Sequence, residues 1–197
     1  MTADLAQIET SHTAIRRLWH VAVGLLTLAP YALGLLPRGI YLLVLVGMLA
    51  FLLVLDFVRL RHPPANALFI RLFRPLILPR DLVRLSGSTY YMAGVLLAVL
   101  LFPQRVAVVS VLFLVLGDFA AGAVGLRWGR IRLPGGKSLE GSAACFLTCL
   151  AIAAPLVGWT AATGGALAAT LAESLDLPVD DNLLIPPVSG AVLLWLS

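Results

Sequence analysis

The chain has 197 residues, of which 60% are hydrophobic and 12% charged, with a formal net charge of +4 and a mean hydropathy of +0.99. Soluble domains carry about twice that share of charge, so the composition excludes a water-soluble globule. The apolar residues fall in runs long enough to cross a hydrocarbon core about 30 Å thick, which takes roughly 20 helical residues.

The first fifteen residues contain Asp4 and Glu9 and no apolar core, unlike a cleavable signal peptide. Apolar spans are then predicted at 18–36, 39–58, 88–102, 105–126, 139–157, 159–175 and 183–197. They make an all-α polytopic membrane bundle of about seven crossings (six to eight), a single integral membrane domain over 1–197. Tight connections at Pro37-Arg38-Gly39, Pro103-Gln104 and Gly158-Trp159 turn neighbouring spans into antiparallel hairpins.

Two connections are long, and both are basic. Residues 59–87 hold Arg59, Arg61, Arg71, Arg74, Arg80 and Arg84, and 127–138 hold Arg127, Arg130, Arg132 and Lys137. With seven crossings these ten fall on the side of Arg16 and Arg17, making twelve basic residues on one face against Arg38 and Arg105 on the other. The positive-inside rule puts the twelve, and the N-terminus, in the cytoplasm. The segment 59–87 mixes Phe69, Ile70, Leu72 and Phe73 with its arginines, the composition of a helix lying in the membrane interface.

A carboxylate at membrane depth costs at least about 2.5 kcal/mol and is rarely kept without use. Asp56 lies within a turn of Arg59, where a snorkelled ion pair accounts for it. Asp118 heads a helical face shared with Gly122, Gly125 and Gly129, at offsets of four, seven and eleven. Such glycines serve close helix packing, or bare backbone that a phosphate chain can approach while the carboxylate holds a divalent cation. Gly135-Gly136 then delivers Lys137 and Ser138 to a helix start, where free backbone N–H groups attract phosphate; Ser138 also suits a helix cap. The GxxxxGK spacing of a P-loop is absent.

The last polar cluster runs from Glu173 to Asn182. Asp176 and Asp180 read as solvated loop acids, while Glu173, Asp181 and Asn182 offer oxygen ligands at or just outside membrane depth. Arg16, Arg17 and Trp19 read as a topogenic pair with an interfacial aromatic, and His20, a turn further in, as a buried or proton-accepting group. Cys145 and Cys149, four apart in an apolar run, read as packing residues.

Together these pieces resemble the CTP-dependent lipid kinases: the dolichol, phytol and farnesol kinases and the yeast-type diacylglycerol kinase. The resemblance rests on Gly117-Asp118, Ala121, Gly125 and Gly129, then Gly136-Lys137-Ser138 and Glu140-Gly141, then Glu173, Asp180-Asp181-Asn182 and Ile185-Pro186. Arg16-Arg17 with His20 and the stretch Ser86 to Tyr90 add to it, so that it covers nearly the whole chain. Arg17 stands where the pattern has Lys, and Phe119 where a small residue or Pro is common.

The resemblance implies phosphoryl transfer from CTP to the hydroxyl of a membrane-dissolved alcohol, with Mg²⁺ or another divalent cation, at the cytoplasmic face. Segment 117–141, with Gly122 and Asn182, would bind the nucleotide. Asp118, Lys137, Arg16, Arg17 and His20 would serve catalysis, and Asp118, Glu173 and Asp181 the metal. Partners are then CTP, a lipid alcohol and the bilayer, with no nucleic acid. Leu, Val and Phe grooves look alike whether they hold polyprenol, phytol or diacylglycerol. A related CTP:phosphatidate cytidylyltransferase is the nearest alternative, although its Ser with Lys-Arg and later Lys-Asp signature is missing. A small transporter or channel would leave polar groups through the full depth of the spans. A short chain with no signal suits a prokaryotic plasma membrane.

Overall fold

The computed structural model describes residues 2–73, 76, 79–175 and 178–197, so Arg74 and Asp176 lie outside the described residues, as does the Arg80 side chain. Nine α-helices follow one another among these residues. They are α1 (Thr2–Ala32), α2 (Arg38–Arg61), α3 (Pro63–Phe73), α4 (Gly87–Leu101), α5 (Gln104–Leu112), α6 (Asp118–Trp128), α7 (Leu139–Val157), α8 (Trp159–Ser174) and α9 (Asp181–Leu196). A π-helical segment, Phe113–Gly117, joins α5 to α6 without a break.

Each expected span coincides with a helix, with two differences at the first. α1 begins at Thr2, well ahead of the apolar run, and ends at Ala32 rather than 36. Gly34 there takes φ +69°, the left-handed conformation that commonly terminates helices and that a Cβ opposes. Gln104–Trp128, Arg38–Arg61 and Leu139–Val157 are long and apolar enough to cross a membrane, while Gly87–Leu101 and Asp181–Leu196 are apolar but shorter.

α8 packs between α7 and α9, α6 packs on α7, and α4 bridges α9 and α2. The close approach of α8 comes from its small residues: Ala161, Ala162, Gly165, Ala166, Ala169 and Ala172 are buried along one side. Without bulky side chains in the way, neighbouring backbones come near enough for dense dispersion contact. Outward-facing side chains are apolar instead of charged, as at Leu43, Phe51 and Trp195, which a bilayer accommodates and water does not.

With α5, the π-helical segment and α6 taken as one rod, the long helices alternate in direction, and hydrogen bonds at one end record it. Arg38, at the start of α2, donates to the carbonyls of Val99 and Leu100 at the end of α4. Gln104, at the start of α5, donates to the Tyr31 carbonyl at the end of α1 at 2.6 Å. These side chains satisfy carbonyls that have no partner within their own helix. The functional residues collect at the opposite end.

There Asp56 and Arg59 form the expected pair, but it is buried and not snorkelled. Both residues are 2% exposed, and Arg59 Nε donates to Asp56 Oδ1 at 2.6 Å. Arg59 also donates to the carbonyls of Asp81 and Arg84, and Asp56 Oδ2 accepts from Thr89 Oγ1 at 2.6 Å and from the Ser86 N–H. The stretch Ser86 to Thr89 is thus pinned to the end of α2. The Arg59 guanidinium lies 4.7 Å over the Phe69 ring of α3, so helix, loop and α3 share one anchor. Two buried charges are tolerable only when so fully answered.

Candidate active site

The loop between α6 and α7 shapes the site. Leu133 N–H donates to the Lys137 carbonyl and Leu139 N–H to the Ile131 carbonyl, folding the loop into a short hairpin with Arg132 opposite Ser138. Its tip needs Gly135 and Gly136, at φ +77° and +82°, where other residues would be strained. Ser138 then caps α7, its Oγ accepting from Gly141 N–H at 3.1 Å. Glu140 holds the other side of the hairpin by accepting from Ile131 N–H, outside the cleft described next.

Lys137 is carried across to α8 and α9. Its Nζ lies 3.1 Å from Glu173 Oε1 and 3.0 Å from Asp181 Oδ2, and it also donates to the Glu173 carbonyl. Burial acts to lower its pKa, but Asp181 and Glu173 outweigh burial and hold it above the ordinary lysine value. Lys137 is therefore a fixed positive charge at neutral pH.

An open cleft of ≈ 500 Å³ surrounds this cluster, lined by Arg16, Arg17, Asp118, Gly122, Gly125, Arg132, Gly136, Lys137, Ser138, Gly141, Ser142, Glu173 and Asp181. Residues from α1, α6, α7, α8, α9 and the hairpin meet there. Four cationic side chains face three carboxylates, a distribution suited to a polyanion bound with a cation. Two polar atoms of these residues are buried without a hydrogen-bond partner: Ser142 Oγ and Glu173 Oε2. Buried polar groups are nearly always satisfied; the other two such atoms among the described residues, Tyr31 Oη and Thr170 Oγ1, lie outside the cleft lining.

The glycines do more than leave backbone bare. A Cβ on Gly122 would stand 2.6 Å from Arg17 Nε, and one on Gly125 or Gly129 would stand 2.8 Å from Ser138 Oγ. Arg17 and the cap of α7 occupy the space that the stripe opens. Gly117 lies away from the cleft, against Cys149 Sγ; Cys145 and Cys149 are free and buried, in keeping with packing.

A narrow throat of ≈ 60 Å³ adjoins the cleft, lined by Arg16, Arg17, His20, Tyr91, Leu114, Val115, Asp118, Phe119, Asp181 and Asn182. The π-helical segment ends at Gly117, immediately before Asp118. Such a widened turn re-aims the residues that follow it, and Asp118 lines both throat and cleft. His20 and Asn182 belong to the throat and not to the cleft. Asn182 Nδ2 donates to Asp180 Oδ1 at 2.8 Å, so Asp180, read as a solvated acid, in fact caps α9 and orients Asn182.

Two residues of the site escape sequence reading. Ser142 sits one turn after Ser138 on the same face of α7, a spacing that could have drawn notice. Tyr91, packed edge-on to His20 at 6.1 Å with its hydroxyl 3.4 Å from Thr27 Oγ1, carries no local signal. Among the described residues no group of three or more His, Cys, Asp or Glu forms a ready-made metal cage.

No profile of a known family matches the chain, and no solved structure matches it. Five curated proteins do, three of them named CTP-dependent diacylglycerol kinase 1. That of Eremothecium gossypii is 30% identical over 92% of this chain and 66% of its own length, and that of Saccharomyces cerevisiae 27% identical over 92% and 72%. That of Schizosaccharomyces pombe is 28% identical over 95% of each chain. The chain thus spans just under two thirds of the first relative and nearly all of the third.

Proposed function

We propose that the chain is a CTP-dependent lipid kinase, like the relatives it matches, and that it transfers the γ-phosphoryl group of CTP to the free hydroxyl of a diacylglycerol-type membrane lipid. The observation that carries this reading is the cleft, where Arg16, Arg17, Arg132 and Lys137 face Asp118, Glu173 and Asp181 beside two unsatisfied buried atoms.

Phosphoryl transfer asks a protein mainly for positioning and charge neutralisation. Arg16, Arg17, Arg132 and Lys137 bind the triphosphate, with the hairpin tip and the start of α7 against it. Asp118 lies where cleft and throat join and takes the hydroxyl proton as the lipid oxygen bonds to the γ-phosphorus and CDP leaves. His20, Tyr91 and Asn182 orient the incoming hydroxyl and narrow the path for water.

Mg²⁺ or a similar hard cation fits the oxygen donors of Glu173 and Asp181, with Asp118 beside them as the alternative ligand should it not serve as base, and Glu173 Oε2 stands without a partner. Among the described residues these carboxylates form no closed cage, which would suit a cation that also takes oxygens from phosphate and water. Once bound, the cation neutralises charge on the phosphoryl oxygens.

We place the site on the cytoplasmic face of a seven-crossing bundle. The alternating helix directions and the gathering of basic residues at the site's end support this.

The test is incubation of purified protein with Mg²⁺, γ-labelled CTP and, separately, diacylglycerol, phytol, polyprenol and phosphatidate. Label in diacylglycerol is expected, and Asp118→Asn should abolish it in protein that still folds. Label released as diphosphate with phosphatidate would establish a cytidylyltransferase instead.

A further inference from the structure

A second cavity, of ≈ 310 Å³, lies between α1, α2, α3 and the start of α4. Its body is apolar, with Val23, Met48, Leu52, Leu55, Phe69 and Met92 among its walls. At one end its lining turns polar, and Arg16, His20, Tyr91 and Asn182 there also line the throat that leads to Asp118. Trp19, Phe51 and Phe73, also in its lining, are 51%, 64% and 41% exposed. The cavity is therefore open sideways onto the apolar outer surface and continuous inward with the reaction centre.

We infer that this cavity is the acceptor-lipid site, taking an uncharged glycerolipid with ester carbonyls beside its free hydroxyl, the hydroxyl toward Asp118 and the chains leaving past Trp19, Phe51 and Phe73. The inference rests on the kinase reading above and adds where the acceptor sits and why its class is selected.

Its size is near the lower limit of ligand pockets, about 300–1,000 Å³. It holds a glycerol head and the first part of the chains, and the rest of the chains stays in the bilayer. The polar end decides the class. Asn182 Nδ2, which gives one N–H to Asp180, has a second to offer; Arg16 carries donors beyond those a phosphate takes, and Ser88 also lines the cavity. Ester carbonyls beside a hydroxyl can accept from such donors. A prenol, apolar up to its hydroxyl, leaves them unanswered, and unanswered polar groups are what a selective site uses against the wrong ligand.

The cavity wall is also stiffened where selectivity needs it. Phe69 lies under the Arg59 guanidinium and against Phe73 at 5.0 Å. The Asp56–Arg59 pair fastens Ser86, beside Ser88, to α2.

Two measurements test the assignment. Leu52→Trp fills the cavity away from the cleft, so the KM for dioctanoylglycerol in mixed micelles should rise at least about tenfold while the KM for CTP stays unchanged. An unchanged lipid KM in folded, CTP-binding variant protein would overturn the site. In the wild-type protein, a diacylglycerol with a diazirine near its ester should crosslink to the cavity walls, and unlabelled diacylglycerol should compete better than phytol. Crosslinks elsewhere overturn the site, and equal competition by phytol overturns the ester selection. The crosslink needs no turnover, so it stands apart from the kinase reading, which falls if wild-type protein labels no lipid at all.

Discussion

Lys137 and Asp181, 44 residues apart in the chain, meet at 3.0 Å between Nζ and Oδ2. With Glu173 on its other side, the lysine ties the start of α7 to the end of α8 and the start of α9. Its positive charge is thus shared between two carboxylates carried on separate helices.

Lys137→Met removes that charge. Loss of one preorganised group acting on transition-state charge costs on the order of 10²–10³ in rate, so kcat/KM for CTP should fall by about that factor. Stability carries a second signature. The lysine's pKa is raised in the folded protein, so its contribution is whole below the ordinary 10.5 and fades as pH climbs through the raised value. Melting temperature in detergent, followed upward from pH 9, should fall more steeply for wild type than for Lys137→Met. Parallel curves would mean that the ion pairs contribute no stability.

Gly122→Ala and Gly141→Ala separate function from folding. The new Cβ at 122 meets the Arg17 guanidinium, the far end of a flexible side chain. The fold should survive while Arg17 leaves the cleft, and activity should match that of Arg17→Ala. At 141 the Cβ would come 2.6 Å from the Ala121 backbone carbonyl, which cannot swing aside. Overpacking of this kind costs about 1–3 kcal/mol, so the expected change is a lower melting temperature. Equal melting temperatures for the two variants would contradict the account.

Asp56→Ala leaves Arg59 buried without its counter-charge and Thr89 without its acceptor. Removing one partner of a buried pair typically costs about 3–5 kcal/mol. Thermal unfolding in detergent should show it as a large loss; a melting temperature within error of wild type would mean that water reaches Arg59.

Sequence spacing made this pair legible but not its burial. Asp56 and Arg59 sit three apart and read as a surface pair, whereas the groups that enclose them lie 22 to 33 residues further on. The helices were legible because apolar runs end at Pro and Gly, and the turn before Lys137 because of its two glycines, though not the hairpin pairing around it. The start of α1 was hidden because Thr2 to Ala14 lacks the apolar periodicity that marks a helix. The glycine stripe announced close approach, but not that Arg17 and Ser138 are what approach it. Tyr91 joins the site only through its own contacts with His20 and Thr27 of α1.

Ser142 provides the most direct test that the cleft is built for a ligand. Its hydroxyl is buried without a hydrogen-bond partner, and an unsatisfied buried group costs about 1–3 kcal/mol. Ser142→Ala should therefore leave the unliganded protein as stable as wild type or more so, because no hydrogen bond is lost. The same change should raise the KM for CTP about two- to tenfold, the equivalent of one hydrogen bond of about 0.5–1.5 kcal/mol. A purely structural serine behaves in the opposite way, with stability falling and nucleotide affinity unchanged. Melting curves with and without CTP distinguish the two, since the stabilisation by a given CTP concentration shrinks in the variant only if Ser142 touches the nucleotide.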